Sequence, residues 1–168
     1  MAAASLWLYR TLLHALLPLA VPVLWLRDRI GGKSRPPLRA RLVPEIPAME
    51  PGGIWIQAVS VGEVEIGRRL VRELRERHWE QPVVVSVTTA TGLALARRTV
   101  ADAATVTTCP LDLPGAVSRV FDLVRPRLLV LVETELWPEL MHQSLTRGIP
   151  VAVVNGRLSE SSVHRYRR

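Results

Sequence analysis

Five short runs of apolar and β-branched residues, separated by segments of helical character, set the strongest limit on how this chain can fold. The second and fourth runs, VVVSV and LLVLV, are apolar on both faces. Strands of that kind belong to parallel sheets, because the helical connections between parallel strands cover both sides. The five runs lie at residues 54–60, 83–88, 105–108, 128–133 and 151–155.

The segments between these runs have the periodicity of helices. In the first of them, Ile66, Leu70 and Leu74 fall on one apolar stripe with arginines opposite. Gly148 and Pro150 end the last one. We therefore predict an α/β fold with a Rossmann-like, doubly wound parallel sheet. The helices are expected at residues 64–78, 92–101, 115–124 and 139–147.

The residues that follow the predicted strands are the candidates for function. Sheets of this class bind ligands at the carboxyl ends of their strands, so these residues should converge on one edge. Three of the five ends carry carboxylates, and two carry small hydroxyl and glycine residues. In chain order the candidates are Ser60, Gly62 and Glu63; Thr88, Thr89 and Thr91; Asp112; Glu133 and Glu135; and Asn155 and Arg157.

Two of these glutamates have competing interpretations. Glu63 falls in the first turn of a helix, where it is either a catalytic residue or a glutamate favoured by the helix dipole. Glu133 ends a buried strand, where a carboxylate without partners is costly, and this favours function. The alternative is a helix start, with Thr134 as N-cap and Glu135 in the first turn.

The remaining strand ends are less specific. The threonines of TTATG suit a sugar or a phosphate, or they begin a helix. Asn155 and Arg157 suit sugar hydroxyls or phosphate, or they form a turn with a surface arginine. No dinucleotide or P-loop motif occurs, the histidines lack metal-ligand spacing and there is no DxD pair. We therefore predict no cofactor and no metal.

The first 27 residues are expected to form a membrane anchor helix. Residues 11–26 carry no formal charge, and aromatic residues lie near both ends of this run. The uncharged run is slightly short for a span of about 20 residues. Spanning and interfacial anchors therefore both stay open, beside a buried helix of an ordinary domain. The basic residues that follow predict a cytoplasmic side for the rest of the chain.

The charge distribution argues against nucleic acid as a partner. The net charge is +6 over residues 1–41 and +1 over residues 42–168, so the predicted domain is almost neutral. A nucleic-acid binder is expected to carry a basic face on its folded domain. We expect residues 28–52 to be a basic juxtamembrane linker, in which residues 31–41 touch anionic lipid headgroups. The domain is expected at 53–168. A single cysteine, Cys109, excludes an internal disulfide.

Several motifs, in this order along residues 6–168, resemble the N-terminal half of the 3-deoxy-D-manno-octulosonic acid (Kdo) transferases. VSVGE and ETELWP together are specific, whereas either one alone would be weak. The motifs are IWIQAVSVGEVEIGRRLVREL, TTATG, CPLDLPGAVSRVF, ETELWPEL and IPVAVVNGRLSESS.

This resemblance implies an enzyme of the bacterial inner membrane with two Rossmann-like domains, known as the GT-B architecture. The N-terminal domain would face a lipid A precursor, and a C-terminal domain would hold the donor CMP-Kdo. Glu63 matches the family's general base, and Glu133 matches a carboxylate that stabilises the transition state. The other strand-end residues would bind substrate, and no metal is needed.

Two motifs depart from the family pattern, and the chain is short. Gln57 stands where histidine is common, and TTATG is shorter than the usual threonine loop. The chain ends at Arg168, before any donor domain. We expect it either to be a fragment or truncated product, or to rely on a partner chain. By itself it should not transfer Kdo. The alternative is a non-catalytic, membrane-tethered module that binds a glycolipid.

Overall fold

The computed structural model describes residues 2–30, 36–134 and 136–156. Within them, the expected Rossmann-like architecture is confirmed as a five-stranded parallel sheet in the order β3-β2-β1-β4-β5. The strands are β1 (Ile54–Ala58), β2 (Val83–Val87), β3 (Thr105–Thr108), β4 (Leu128–Val132) and β5 (Val151–Val154). The helices are α1 (Ala2–Ile30), α2 (Leu38–Leu42), α3 (Val61–Glu76), α4 (Ala90–Thr99), α5 (Pro114–Val124) and α6 (Pro138–Thr146).

Alternate residues of the strands bury against two different helix pairs. Ile56 and Val85 face α3 and α4, whereas Trp55 and Leu129 face α5 and α6. The rings of Trp55 and Phe121 meet edge to face at 5.0 Å. This packing on both faces explains why the strands are apolar at nearly every position.

The element boundaries differ slightly from those expected. Four of the five strands end one or two residues earlier than predicted, and the helices of the domain begin one to three residues earlier. The residues released from the strands become the turns that lead into the next helix. This places Glu133 just outside β4, on the edge where the candidate residues were expected.

Part of the segment between α1 and β1 packs along the outer edge of the sheet at β3. Arg41 is buried, and its Nε donates to the carbonyl oxygen of Cys109 at 3.3 Å. The hydroxyls of Thr108 and Thr107 donate to the carbonyl oxygens of Ala40 and Glu45. Arg41, which we expected to touch lipid headgroups, instead helps to cover the edge strand.

Helix α1 carries an apolar stripe that the domain leaves exposed. The spacing of four, four, three, four and three residues keeps its members on one face of the helix. Among the described residues, no helix combines the length and hydropathy that crossing a membrane requires. The stripe consists of Leu8, Leu12, Leu16, Leu19, Val23 and Leu26.

Candidate active site at the carboxyl edge of the sheet

The candidate site lies where the strand order reverses, between β1 and β4. From β1 the chain winds outward through β2 and β3, then returns to the other side of β1 as β4. Ligands of open α/β sheets bind in the crevice at this reversal. The last registered pair of β1 and β4 joins Gln57 to Leu131. Val59 and Glu133 each lie two residues beyond this pair, just past the carboxyl ends of β1 and β4.

The Glu63 carboxylate folds back onto this same strand end. One of its oxygens, Oε2, accepts a hydrogen bond of 2.7 Å from the Val59 backbone amide. The side chain is buried, 5% exposed, in the first turn of α3. The two glutamates that the sequence singled out therefore lie at the carboxyl ends of neighbouring strands.

Glu133 is held in an unusual backbone conformation. Its φ is 63°, in the left-handed region, and its amide donates to the Val154 carbonyl oxygen at 2.8 Å. Asn155, at the end of the next strand, has a φ of 54°. Non-glycine residues rarely adopt this conformation, and when they do they often occupy functional sites. No hydrogen bond or ion pair reaches the half-buried Glu133 side chain from the described residues.

The TTATG segment forms the start of α4. Thr89 is the N-cap, and its hydroxyl accepts a hydrogen bond of 3.2 Å from the Gly92 amide, as the helix-start interpretation predicts. Thr88 is buried, whereas Thr91 is exposed. A Cβ on Gly92 would lie 3.3 Å from the Ser60 backbone carbon. Glycine at this position therefore lets α4 pack against the turn that carries Glu63.

The helix-start interpretation of Thr134 is wrong. Helix α6 begins at Pro138 with Trp137 as N-cap, and Trp137 provides no side-chain cap. Asp112 performs that function from the preceding α/β unit. Its carboxylate accepts hydrogen bonds of 2.9 Å from the amides of Glu139 and Leu140. Of the three strand ends with carboxylates, the one at Asp112 therefore stabilises a helix.

Gln57, at the position where the family often has histidine, is fully buried beneath the site. Its side chain links β1 to β2 and to the residue that follows β3. Its Oε1 accepts from the Ser86 hydroxyl at 2.5 Å, and its Nε2 donates to the Cys109 sulfur at 2.6 Å. Trp55 donates its indole N–H to Ser86 in turn. Gln57 thus belongs to the core and not to the surface that a substrate would reach.

The sequence analysis missed a polar cluster that joins α1 to α6, named here the docking cluster. It consists of Tyr9, Arg10, Asp112, Glu139 and Gln143. Burial raises the pKa of Asp112, and hydrogen bonds from backbone amides and Tyr9 offset only part of this effect. Burial also disfavours charged Glu139, but hydrogen bonds from Arg10 and Gln143 outweigh it and hold the pKa below its usual range. No local pattern could have revealed pairs that are 103 and 129 residues apart.

Two sequence-predicted site residues, Glu135 and Arg157, lie outside the described residues. Ser60 and Gly62 lie beside Glu63 at the start of α3, and the Ser60 hydroxyl makes no cap bond. Asn155 is exposed next to the Glu133 strand end. The described part of the site therefore combines two carboxylates with small and amide side chains along one edge of the sheet.

Comparison with known proteins shows the family to which the chain belongs. A family model described as 3-deoxy-D-manno-octulosonic-acid transferase (kdotransferase) matches residues 26–168. The chain belongs to the Kdo transferase family. It is 41% identical to the 3-deoxy-D-manno-octulosonic acid transferase of Haemophilus influenzae over 116 residues, and this aligned segment covers 69% of the chain. It is 34% identical over 164 residues, or 92% of the chain, to the enzyme of the same name from Bordetella pertussis.

The similarity extends to a plant protein. A probable mitochondrial 3-deoxy-D-manno-octulosonic acid transferase from Arabidopsis thaliana is 29% identical over 163 residues, covering 95% of this chain. The matched parts are 27%, 38% and 36% of the lengths of the Haemophilus, Bordetella and Arabidopsis proteins. The Kdo transferase domain described here thus corresponds to well under half of these relatives.

Proposed function

We propose that this chain is the acceptor-side half of a Kdo transferase. The complete enzyme would transfer Kdo from CMP-Kdo to a lipid A precursor (lipid IVA) during assembly of the lipopolysaccharide core. Membership of the family supports Kdo transfer in general. The observation that carries the proposal is the location of Glu63 and Glu133 at the carboxyl ends of neighbouring strands, where the strand order reverses.

In this proposal Glu63 is the general base. Its carboxylate takes the proton of an acceptor sugar hydroxyl, and the resulting oxygen attacks the anomeric carbon of Kdo. The bond from that carbon to the phosphate of CMP breaks, and CMP leaves with the bonding electron pair. Glu63 is placed at the start of α3, where its Oε2 accepts a hydrogen bond from the Val59 amide.

Glu133 stabilises the transition state. Positive charge develops on the Kdo ring as CMP departs, and a nearby carboxylate lowers the energy of that charge. The left-handed turn at Glu133 directs the chain away from β4 at this point. The acceptor would contact Ser60, Gly62, Thr91 and Asn155 around the two carboxylates. Glu135 and Arg157 keep the substrate-binding role that the family motif suggests. Thr88 is buried and Thr89 caps α4, so these two threonines would support the site without touching the acceptor.

The proposal places the enzyme on the cytoplasmic face of the bacterial inner membrane. The exposed apolar stripe of α1 supports the interfacial form of the anchor, with the helix lying along the lipid surface. A second Rossmann-like domain outside this chain would hold CMP-Kdo. Partners would therefore be the membrane, the acceptor lipid and the donor nucleotide sugar, with no nucleic acid.

The non-catalytic alternative has one observation in its favour. The hydrogen bond from the Val59 amide gives the buried Glu63 carboxylate a structural role at the start of α3. In that alternative the same crevice would bind a glycolipid without chemistry. A Glu63→Gln variant separates the two functions. Glutamine has an oxygen that can accept the hydrogen bond from the Val59 amide, but it cannot take a proton from a sugar hydroxyl.

Acceptor binding tests the assignment on this chain directly. Lipid IVA and phosphatidylglycerol are titrated into the chain in mixed detergent micelles, and the change in tryptophan fluorescence is followed. We expect lipid IVA to bind at least about tenfold more tightly, a difference of about 1.4 kcal/mol. Equal affinity for the two lipids would contradict an acceptor site and leave only a general attraction to anionic lipid.

A further inference from the structure

The first turns of α1 are tied to the beginning of α6 by a double ion pair. The Arg10 side chain donates through Nε and Nη2 to the two carboxylate oxygens of Glu139, at 2.8 and 2.9 Å. Glu139 is fully buried, and its Oε1 also accepts from Gln143 at 2.7 Å. Such two-pronged arginine pairs fix orientation as well as position.

Asp112 connects the same two helices a second time. It accepts from the Tyr9 hydroxyl at 2.7 Å while it caps the first two free amides of α6. Gln143 donates to the Pro114 carbonyl oxygen at 2.9 Å, so the start of α5 is included. The start of α6 is therefore held by contacts with α1 and α5 together.

This arrangement has a consequence for the connection that carries Glu133. Only five residues separate the end of β4 at Val132 from the start of α6 at Pro138. The sheet fixes one end of this connection and the docking cluster fixes the other. A span this short cannot absorb a shift of α6 without changing its own backbone angles. The left-handed φ of Glu133 is the angle at the sheet end of this span.

We propose that Tyr9 and Arg10 are positioning residues for Glu133. By docking α1 on the start of α6, they fix where Trp137 lies relative to Glu133, at the two ends of this connection. The chemical importance of Glu133 rests on the proposed function, but the positioning itself does not. Arg10 and Tyr9 act through Glu139 and Asp112 and touch no substrate.

Amide hydrogen exchange on this chain tests the positioning without any transfer assay. The signals to follow are the amides of Glu133 and Leu136 and the indole N–H of Trp137, measured by NMR. We expect Arg10→Met to speed exchange of the Leu136 amide by about tenfold or more, because opening of the connection becomes easier. Tyr9→Phe should affect the same signals less, since Asp112 keeps both backbone amides.

Arg68→Met is the matched control. Arg68 is 35% exposed, compared with 36% for Arg10, and it also donates two hydrogen bonds to a glutamate, Glu65. Its ion pair lies within α3, remote from the docking cluster along the chain. We expect this variant to leave the Glu133, Leu136 and Trp137 signals unchanged.

A double variant separates positioning from the cost of an unpaired buried charge. Arg10→Met alone leaves Glu139 charged and buried, which by itself disturbs α6. In Arg10→Met/Glu139→Gln that charge is gone, yet the double ion pair between α1 and α6 is still missing. Fast exchange that persists in the double variant supports the proposal. Exchange that returns to the wild-type rate would overturn it.

Two further outcomes would also overturn the proposal. One is exchange that rises equally over the whole sheet in the double variant, which would indicate general destabilisation. The other is unchanged exchange at Glu133 and Leu136 in both variants. If Arg10→Met does not fold, the proposal is tested with the double variant and Tyr9→Phe, using the same amide exchange rates at Glu133 and Leu136. None of these results depends on whether lipid IVA binds, so the proposal and the proposed function can fail separately.

Discussion

At the scale of single residues, Glu133 combines backbone strain with a side chain that the described residues leave unpaired. A glutamate in the left-handed region costs about 1 kcal/mol relative to glycine, because its Cβ crowds the backbone. Folding alone would favour glycine or asparagine at this turn. The strain is therefore consistent with a carboxylate that is kept for function at the expense of stability.

Glu133→Gly should stabilise the fold and impair the function. We expect the free energy of unfolding in urea to rise by about 0.5–1 kcal/mol, because the strain is relieved. His78→Gly is the control, since His78 is exposed at the end of α3 with a φ of 59°. Both variants should gain stability, but only Glu133→Gly should weaken transfer. A loss of stability in Glu133→Gly alone would show that its side chain supports the fold.

Gly62 stands in the first turn of α3 where the fold has room for a side chain. A Cβ there would lie 3.9 Å from the Ser60 hydroxyl oxygen and meet nothing nearer. Gly115, also second in its helix and exposed, has nothing within 4 Å of the same point. Local structure thus explains neither glycine, but only Gly62 borders the candidate crevice.

Gly62→Ala and Gly115→Ala form a matched pair. Alanine should stabilise each helix by up to about 1 kcal/mol, which thermal unfolding measures. If an acceptor approaches the start of α3 closely, Gly62→Ala should weaken lipid IVA binding by about tenfold, whereas Gly115→Ala should not. Equal lipid IVA binding by the two variants would remove Gly62 from the binding surface.

At the scale of elements, strands and helices could be predicted because their signals are local. A strand buried on both faces is apolar throughout, and an amphipathic helix repeats every three to four residues. The start of α6 could not be predicted in this way. Its cap, Asp112, is 27 residues away from the first amide it holds. Thr134 therefore looked like the local cap although the helix begins four residues later.

For the candidate site too, the sequence could predict the local features but not those that depend on distant residues. The sequence could place Glu63 and Glu133 at strand ends, because position after a strand is a local property. It could not show that Asp112 turns away to cap a helix or that Gln57 lies buried under the site. Those outcomes depend on which strands are neighbours, and that order is set by packing of the whole domain.

The docking cluster should make the contribution of Glu139 to stability depend on pH. The folded-state pKa of Glu139 is lowered, so its charged form contributes stability above the unfolded-state pKa of about 4.3. That contribution is lost as pH falls through the lowered folded-state pKa. We compare urea unfolding of the wild type and Arg10→Met/Glu139→Gln at about pH 7 and about pH 3. The stability advantage of the wild type should shrink at the lower pH, and an advantage that grows there would contradict the pKa direction.

At the scale of the whole molecule, α1 combines a docked end with an exposed apolar face. Leu16 and Leu19 are 57% and 71% exposed on the stripe. Leu145, on α6, is 79% exposed and serves as the control. Leu16→Ser/Leu19→Ser should weaken sedimentation with anionic vesicles by about tenfold or more, since two large side chains no longer enter the lipid. An equal effect of Leu145→Ser would mean that the stripe has no special role.

The central claim is that Glu63 is the base of a Kdo transfer, and a transfer assay tests it most directly. The chain is joined, at the matching position, to the remaining part of the Haemophilus influenzae relative and supplied with CMP-Kdo and lipid IVA. Glu63→Gln keeps an oxygen that can accept from the Val59 amide, so stability should change by less than about 1 kcal/mol. The account predicts Kdo-bearing lipid with Glu63 and a loss of at least about 100-fold in rate with glutamine. Transfer at an undiminished rate by the glutamine variant would contradict a catalytic base and leave Glu63 as a structural residue at the start of α3.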